Sequence, residues 1–192
     1  MSKSKLQGDF ELLRGHCIEI RQNFNTYNEL FSPENDELLS DTAATFFSDI
    51  AEIMHRDWLL QACKLMDGAT TQRKGQTLEN ISIKLINLQL EEQSLINSKI
   101  NDVAASILSY GKKIVPARQK RLAHYDRDHQ IRGVILGGST EEELNEFLLN
   151  LQSYCDLVGE AIGIGPLDFS YSACSGDVLD LLKILRDRNK SA

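Results

Sequence analysis

The sequence predicts an all-α, bundle-like domain that takes in residues 1–192 as a single unit. Three observations lead to this fold class. Apolar residues recur every three or four positions along several long segments, as they do on the buried face of a helix. Helix-ending residues separate these segments, at Ser32-Pro33 and at Asp67-Gly68. Two overlapping capping boxes, starting at Ser139 and at Thr140, open a further helix.

The first part of the chain is expected to form two long helices. The first covers residues 6 to about 30 and ends at Ser32-Pro33, because proline lacks a backbone donor and disfavours helical geometry in the preceding residue. The second covers residues 36 to about 66 and ends at Asp67-Gly68. Its apolar positions are predicted to share one face: Leu39, Ala43, Phe46, Phe47, Ile50, Ile53, Met54, Trp58, Ala62 and Leu65. Residues 69–76 are expected to form a polar loop.

The middle of the chain is predicted to be helical as well. Residues 80–90 alternate in part, as in a strand, but Asn80 is a good helix N-cap and the flanking segments are helical, so we expect a helix that continues to Ile114. Gly111 and Pro116 predict a kink or break near the proline. A further helix is expected from about Pro116 toward Ile131.

Two more helices complete the predicted bundle. The capping boxes open a helix that runs to about Glu160, and a loop from Ala161 to Gly176 follows it. The last helix is expected from Asp177 to about Arg188. Its predicted buried positions are Val178, Leu181, Leu182 and Leu185.

Composition narrows the class of protein. An apolar content of 42% with three prolines is typical of a compact domain. No apolar run approaches the roughly 20 residues of a membrane-spanning helix, and no signal core follows the first residues, so a cytoplasmic protein is expected. The four cysteines are scattered without histidines at metal-binding spacing, which predicts reduced thiols and no metal site. No cofactor is expected.

Charge is concentrated in one segment. Residues 111–132 hold seven basic and two acidic residues, a net charge of +5, whereas the whole chain carries −7 and the remainder therefore −12. This separation favours a site for an anion such as a phosphodiester. On a regular helix Arg121 and His124 share a face, but Arg118 and His124 do not. Arg118 could still reach around the helix, or a second subunit could bring the two together. Helix geometry alone favours a solvated basic face with ion pairs to Asp126 and Asp128.

The motif Arg118-x5-His124, within Arg-Gln-Lys-Arg-Leu-Ala-His-Tyr-Asp, resembles the arginine–histidine signature of the HEPN superfamily, and most closely its abortive-infection U-type (AbiU-like) branch. Three other elements carry the resemblance, which extends over about residues 40–188: Asp57-Trp58-Leu-Leu leading to Leu65-Met-Asp67, Asn80-Ile-Ser-Ile-Lys-Leu, and Gly176-Asp177-Val-Leu-Asp-Leu-Leu. Gln119 departs from the small polar residue that often follows the arginine.

The resemblance implies a HEPN-like helical bundle and a metal-independent endoribonuclease that acts as a homodimer, as toxin or antiviral effector. His124 would be the general acid or base at the ribose 2′-hydroxyl, and Arg118 would stabilise the scissile phosphate. Gln119, Lys120 and Arg121 would contact the RNA substrate. Tyr125 is a candidate modification site, and an antitoxin is a candidate partner protein.

Two alternatives remain open at this stage. The chain could be a non-catalytic HEPN-like helical module that binds RNA, a nucleotide or a partner protein through the basic segment. It could also be a structural dimer in which the basic helix serves solubility. RNA cleavage and RNA binding, measured on the wild type and on a His124→Ala variant, separate the three.

Overall fold

A computed structural model describes residues 4–118, 138–171 and 173–189. The described residues form six α-helices and one β-hairpin, and no described helix is sufficiently long and apolar to cross a membrane. The elements are α1 (Lys5–Leu30), α2 (Asp36–Lys64), β1 (Thr70–Arg73), β2 (Gln76–Glu79), α3 (Ile83–Glu92), α4 (Ser98–Ala117), α5 (Glu141–Ala161) and α6 (Val178–Asn189). The predicted all-α bundle is thereby confirmed.

The main hydrophobic core lies between α1, the second half of α2, α3, α4 and α5. Three aromatic or large side chains at its centre, Phe10, Phe147 and Tyr154, are at most 1% exposed. A smaller cluster attaches α6 to the first two helices, and its buried members are Leu30, Leu39, Phe47 and Leu182. The functional residues described below lie at the end of the bundle where α2 and α4 both finish.

The predicted single apolar face of α2 is wrong at two positions. Phe46 and Ile53 are 58% and 57% exposed. Ala43 has non-helical φ and ψ of −166° and 69°, so the helix is kinked there. The kink changes the rotation of the residues that follow it, and a periodicity counted along one continuous helix then misplaces side chains. In α6, Leu182 is buried as expected, but Leu181 is 41% exposed.

The segment predicted as a polar loop is largely a β-hairpin. Strands β1 and β2 pair antiparallel, with Arg73 opposite Gln76, and the two residues of the turn, Lys74 and Gly75, have φ of 48° and 78°. Two consecutive positive φ values are those of a type I′ turn, which suits the twist of a tight hairpin. All eight strand residues are exposed. Their sequence therefore lacks the apolar alternation that marks a strand with one buried face.

Helix α3 begins two residues later than expected. Ser82 is the N-cap, its Oγ accepting from the Leu85 amide over 3.3 Å. Asn80 holds the base of the hairpin instead, since its Nδ2 donates to the carbonyl of Gly68 over 2.8 Å and to Thr71 Oγ1 over 2.7 Å. Segment 80–90 is mostly helical, as predicted, because its buried residues face the core.

The long helix expected from residue 80 to 114 is two helices. Residues 93–97 separate α3 from α4, Ser94 has a φ of 56°, and Asn97 caps α4 by accepting from the Ile100 amide over 3.0 Å. Helix α4 passes through Pro116 to Ala117. The kink or break expected near that proline is not shown among the described residues.

Helix α5 starts as the capping-box pattern predicted. The Thr140 side chain accepts from the Glu143 amide, and the Glu143 carboxylate accepts from the Thr140 amide, both over 3.2 Å. This reciprocal pair satisfies two backbone donors of the first turn.

Candidate functional site

Arg118 follows directly on the last residue of α4 and keeps helical φ and ψ of −55° and −50°. Its Nη1 donates to Oδ1 of Asp67 over 2.9 Å. The two side chains are 31% and 37% exposed, so the ion pair lies at the surface of the bundle and is open to solvent on one side. The guanidinium has five N–H donors in a planar fork, and among the described residues the bond to Asp67 engages one nitrogen, which leaves donors that could bind an anion.

A close approach of the chain to α4 places Asp67 beside Arg118. A Cβ atom at Gly111 would lie 2.6 Å from both Cγ and Sδ of Met66, so glycine allows Met66 to pack directly on the α4 backbone. The Ile83 amide donates to the carbonyl of Leu65 over 3.1 Å and ties the same turn to α3. Asp67 is the next residue after Met66, and its carboxylate thus reaches the end of α4.

Cys63 lies beneath this ion pair and is fully buried. Burial raises the pKa of its thiol to about 11, and the positive charge of Arg118 opposes that rise. The thiol is therefore protonated at neutral pH. A protonated, buried thiol is a poor nucleophile, so Cys63 is a packing residue of the site.

A cavity of about 170 Å³ adjoins the same end of α4. Tyr110, Ile114 and Ala117 line it from α4, at a spacing of four and three residues that puts them on one helix face. Trp58 and Leu59 line it from α2. The other described lining residues are Asn23, Phe24, Tyr27, Asn28, Met54, His55, Ser139 and Leu144.

Aromatic contacts shape the wall of the cavity. The Tyr110 ring stacks on Phe147, with ring centroids 4.5 Å apart and planes at 18°. Trp58 meets Phe147 edge to face, with centroids 6.1 Å apart. Tyr110 Oη lies 3.1 Å from Ser139 Oγ, and burial raises the pKa of the phenol. These contacts hold the aromatic rings in defined orientations.

Polar contacts surround the cavity. Asn23 Nδ2 donates to Asp57 Oδ2 over 3.3 Å, and Gln61 Nε2 donates to the other oxygen of the same carboxylate over 2.9 Å. Elsewhere on α4, Lys113 pairs with Glu143, and this contact lowers the pKa of the Glu143 carboxyl. The ion pair fastens α4 to the first turn of α5.

Most of the predicted site residues lie outside the described residues. Of the predicted set, the structure describes Arg118; those outside it are Gln119, Lys120, Arg121, His124 and Tyr125. No meeting of Arg118 with His124 is therefore described. Within residues 4–118, 138–171 and 173–189, no group of three or more His, Cys, Asp or Glu side chains is placed to hold a metal ion.

Sequence reasoning missed three residues of this region. The sequence predicts Asp67 as a helix end and as part of an element of the family resemblance, but not as the partner of Arg118, from which it is separated by 51 positions. Ser139 was interpreted only as a capping residue. Tyr110 carries a usable signal, since Tyr110, Ile114 and Ala117 form an apolar stripe that leads directly to Arg118.

Comparison with protein families matches the chain over residues 3–179 to the family described as AbiU2, within the HEPN group. The matched range includes Arg118, Asp67 and every described residue of the cavity. Comparisons with curated proteins and with solved structures found no match.

Proposed function

The chain belongs to the AbiU2 family of HEPN domains, and from this premise we propose that it is a metal-independent endoribonuclease that acts as a homodimer. Arg118 stabilises the scissile phosphate, and His124 exchanges protons with the ribose 2′-hydroxyl. Gln119, Lys120 and Arg121 contact the RNA on either side. The proposed role is that of a cytoplasmic toxin or antiviral effector.

The observation that best supports the proposal is the position of Arg118 and its bond to Asp67. Its guanidinium stands at the end of a helix, partly exposed, with one nitrogen bonded to Asp67. A carboxylate that binds one edge of the fork restricts its rotation and leaves other donors for phosphate oxygens. Fixed donors directed at developing negative charge supply a large part of the rate in phosphoryl chemistry.

The proposed reaction needs no metal. His124 takes the proton of the 2′-hydroxyl as the 2′ oxygen forms a bond to the adjacent phosphorus, and the bond from phosphorus to the 5′ oxygen of the next nucleotide breaks. The leaving 5′ oxygen takes up a proton from water and His124 releases its proton to solvent, so the products are a 2′,3′-cyclic phosphate and a 5′-hydroxyl. Histidine suits the step because its ordinary pKa of about 6.5 lets it exchange protons near neutral pH.

A homodimer would solve a geometric problem of the motif. Arg118 and His124 are six residues apart, about 240° around a regular helix, so one helix does not direct both at one phosphate. On α2, Phe46, Ile50 and Ile53 follow a spacing of four and three residues, and Phe46 and Ile53 are more than half exposed. This apolar stripe supports association with a second copy, whose motif would then complete the site.

Regulation by a partner protein is part of the proposal. An antitoxin could hold the enzyme inactive by covering the basic segment or by modifying Tyr125, which is next to His124 in the chain. A phosphoryl-containing group on that phenol would add negative charge beside the proposed catalytic histidine and repel RNA.

The decisive experiment is RNA digestion in EDTA by the wild type and by His124→Ala and Arg118→Ala variants. Both variants are expected to lose cleavage by a factor of about 10²–10³ while still binding RNA. Lys112→Ala is the matched control, because Lys112 is an exposed base on the same helix. Equal cleavage by wild type and by the carefully purified His124 variant would reject the catalytic assignment.

Salt-dependent RNA binding without any product would favour the alternative, a non-catalytic HEPN-like module that binds RNA, a nucleotide or a protein.

The homodimer is tested by substitutions in the apolar stripe of α2. Phe46→Glu with Ile53→Lys should yield a monomer by light scattering and abolish cleavage. Leu149→Glu, which alters an apolar residue that is 61% exposed on α5, should do neither.

A further inference from the structure

We propose that the cavity beside α4 binds a nucleobase, namely the base of the nucleotide whose phosphate is held by Arg118. The location next to that phosphate rests on the function proposed above, whereas the capacity to take a planar heteroaromatic ring rests on the cavity itself.

The cavity has the dimensions and walls of a site for one ring system. Its volume of about 170 Å³ is below the roughly 300 Å³ at which pockets for drug-sized ligands begin. Tyr27, Trp58 and Tyr110 contribute aromatic surface, and Ile114 and Ala117 contribute a smooth aliphatic wall. Aromatic side chains stack with every base, because each base has a π-face.

The polar groups at the cavity are those that recognise the edge of a base. Asn23 and Asn28 offer amide donors and acceptors, and His55 offers a ring nitrogen. The Nε1 atom of Trp58 is buried, and no described residue accepts its hydrogen bond. The groups available to recognise the edge of a base are therefore the two amides and the His55 ring.

The distribution of charge around the cavity favours a neutral base inside it and a phosphate outside it. None of the described lining residues is a lysine, an arginine, an aspartate or a glutamate, so the described walls of the cavity offer no fixed charge with which to hold a phosphate. The cation stands next to it instead. Ala117 lines the cavity and directly precedes Arg118, and Ile114 lies one helical turn before Arg118, with about 5–6 Å between such Cβ atoms. A neutral base inside and its phosphate at the rim match this arrangement.

Trp58 is the only tryptophan of the chain, so its fluorescence reports on this cavity alone. The test is a titration of the full-length protein with AMP, GMP, CMP and UMP, with ribose 5-phosphate as the control that lacks a base. At least one nucleotide should change Trp58 fluorescence saturably, and ribose 5-phosphate should not. Asn28→Ala should weaken that nucleotide about tenfold, whereas Asn25→Ala, which removes an amide bonded to the Ser170 carbonyl outside the cavity, should not.

No saturable change with any nucleotide up to millimolar concentration would overturn the inference, as would an equal response to ribose 5-phosphate. An Asn25→Ala variant impaired as strongly as Asn28→Ala would also overturn it. The result is independent of catalysis, because no RNA is cut in the titration. Saturable binding by a protein that fails to cleave RNA would retain the cavity assignment and reject the nuclease; cleavage without binding would do the reverse.

Discussion

Arg118 and Asp67 form an ion pair of 2.9 Å that joins the C-terminal ends of α4 and α2. At about one-third exposure an isolated pair of this kind contributes at most about 1 kcal/mol to stability. Its main physical effect is on orientation, since a carboxylate that holds one guanidinium nitrogen limits the directions in which the other donors can point. In the proposed nuclease Asp67 is thus a positioning residue that acts through Arg118.

Replacement of Asp67 by asparagine should separate binding from turnover. The amide still accepts a hydrogen bond from Arg118 but lacks the charge, so we expect kcat to fall about tenfold, which corresponds to about 1.4 kcal/mol. KM should not rise, because one negative charge fewer faces the RNA. Steady-state cleavage kinetics measure both constants. Glu79→Gln, which neutralises the carboxylate paired with Lys5 at 2.7 Å, is the matched control, and an unaltered kcat in Asp67→Asn would contradict the role.

The Arg118→Lys variant should retain its affinity for RNA but cleave RNA more slowly. Arg118→Lys retains one positive charge, so the dependence of RNA affinity on salt should stay the same. The planar fork is lost, however, and we expect cleavage to fall about 10²-fold. Binding isotherms at several salt concentrations and single-turnover rates provide the comparison. Full activity with lysine would show that charge alone is needed.

Replacement by alanine of two glycines in helices should change the free energy of unfolding in opposite directions. Gly15 in α1 has open space at the position of a Cβ, so Gly15→Ala should stabilise the protein by about 0.5–1 kcal/mol. A Cβ at Gly159 in α5 would lie 2.5 Å from the backbone oxygen of Gly165, which cannot move as a flexible side chain can. We expect Gly159→Ala to destabilise by about 1–3 kcal/mol. Urea unfolding measures both, and the same sign in the two variants would contradict the packing of α5 against its following loop.

Alkaline pH should weaken the fold in part through Cys63. Burial raises the pKa of this thiol from 9.0 to about 11 in the folded protein, so the folded state holds a proton that the unfolded state releases. The contribution is fully present below pH 9 and is lost as pH rises toward 11. We expect this contribution to the free energy of unfolding to be about 1–2 kcal/mol.

Urea unfolding at pH 8, 9.5 and 11 tests this expectation as a difference between wild type and Cys63→Ala, since other groups titrate equally in both. The loss of unfolding free energy with pH should be smaller in the variant. Identical pH dependence would show that the thiol is not buried as described.

The helices were the part of the fold most open to prediction. In α1 and α5 the spacing of buried residues, the stop at Pro33 and the Thr140–Glu143 capping box all act within a few residues of the chain. Such local rules can be applied to the sequence without knowing which other helices pack nearby. The hairpin and the break before α4 escaped prediction because their causes are individual backbone conformations, at Lys74, Gly75 and Ser94, in exposed segments with no apolar pattern.

Of the residues of the candidate site, only Arg118 could be predicted from the sequence. Arg118 stands out because it belongs to a basic segment of an acidic chain, and that is a property of the linear sequence. Its partner Asp67 does not stand out, since aspartate before glycine also suits the end of a helix. The cavity combines residues of α1, α2, α4 and the start of α5, and no local pattern relates these segments.

The amino-acid order by itself determined the helical class of this protein, the main helix ends and the position of the basic segment that contains Arg118. Helix propensity, capping and local net charge all depend on near neighbours in the chain. Tertiary structure alone decided that Asp67 meets Arg118 and that Trp58 and Tyr110 border one cavity. The contact of Asp67 with Arg118 goes together with the packing of the neighbouring Met66 on α4, where Gly111 has no side chain. Contacts between distant segments arise only when whole helices pack, so no window of sequence contains them.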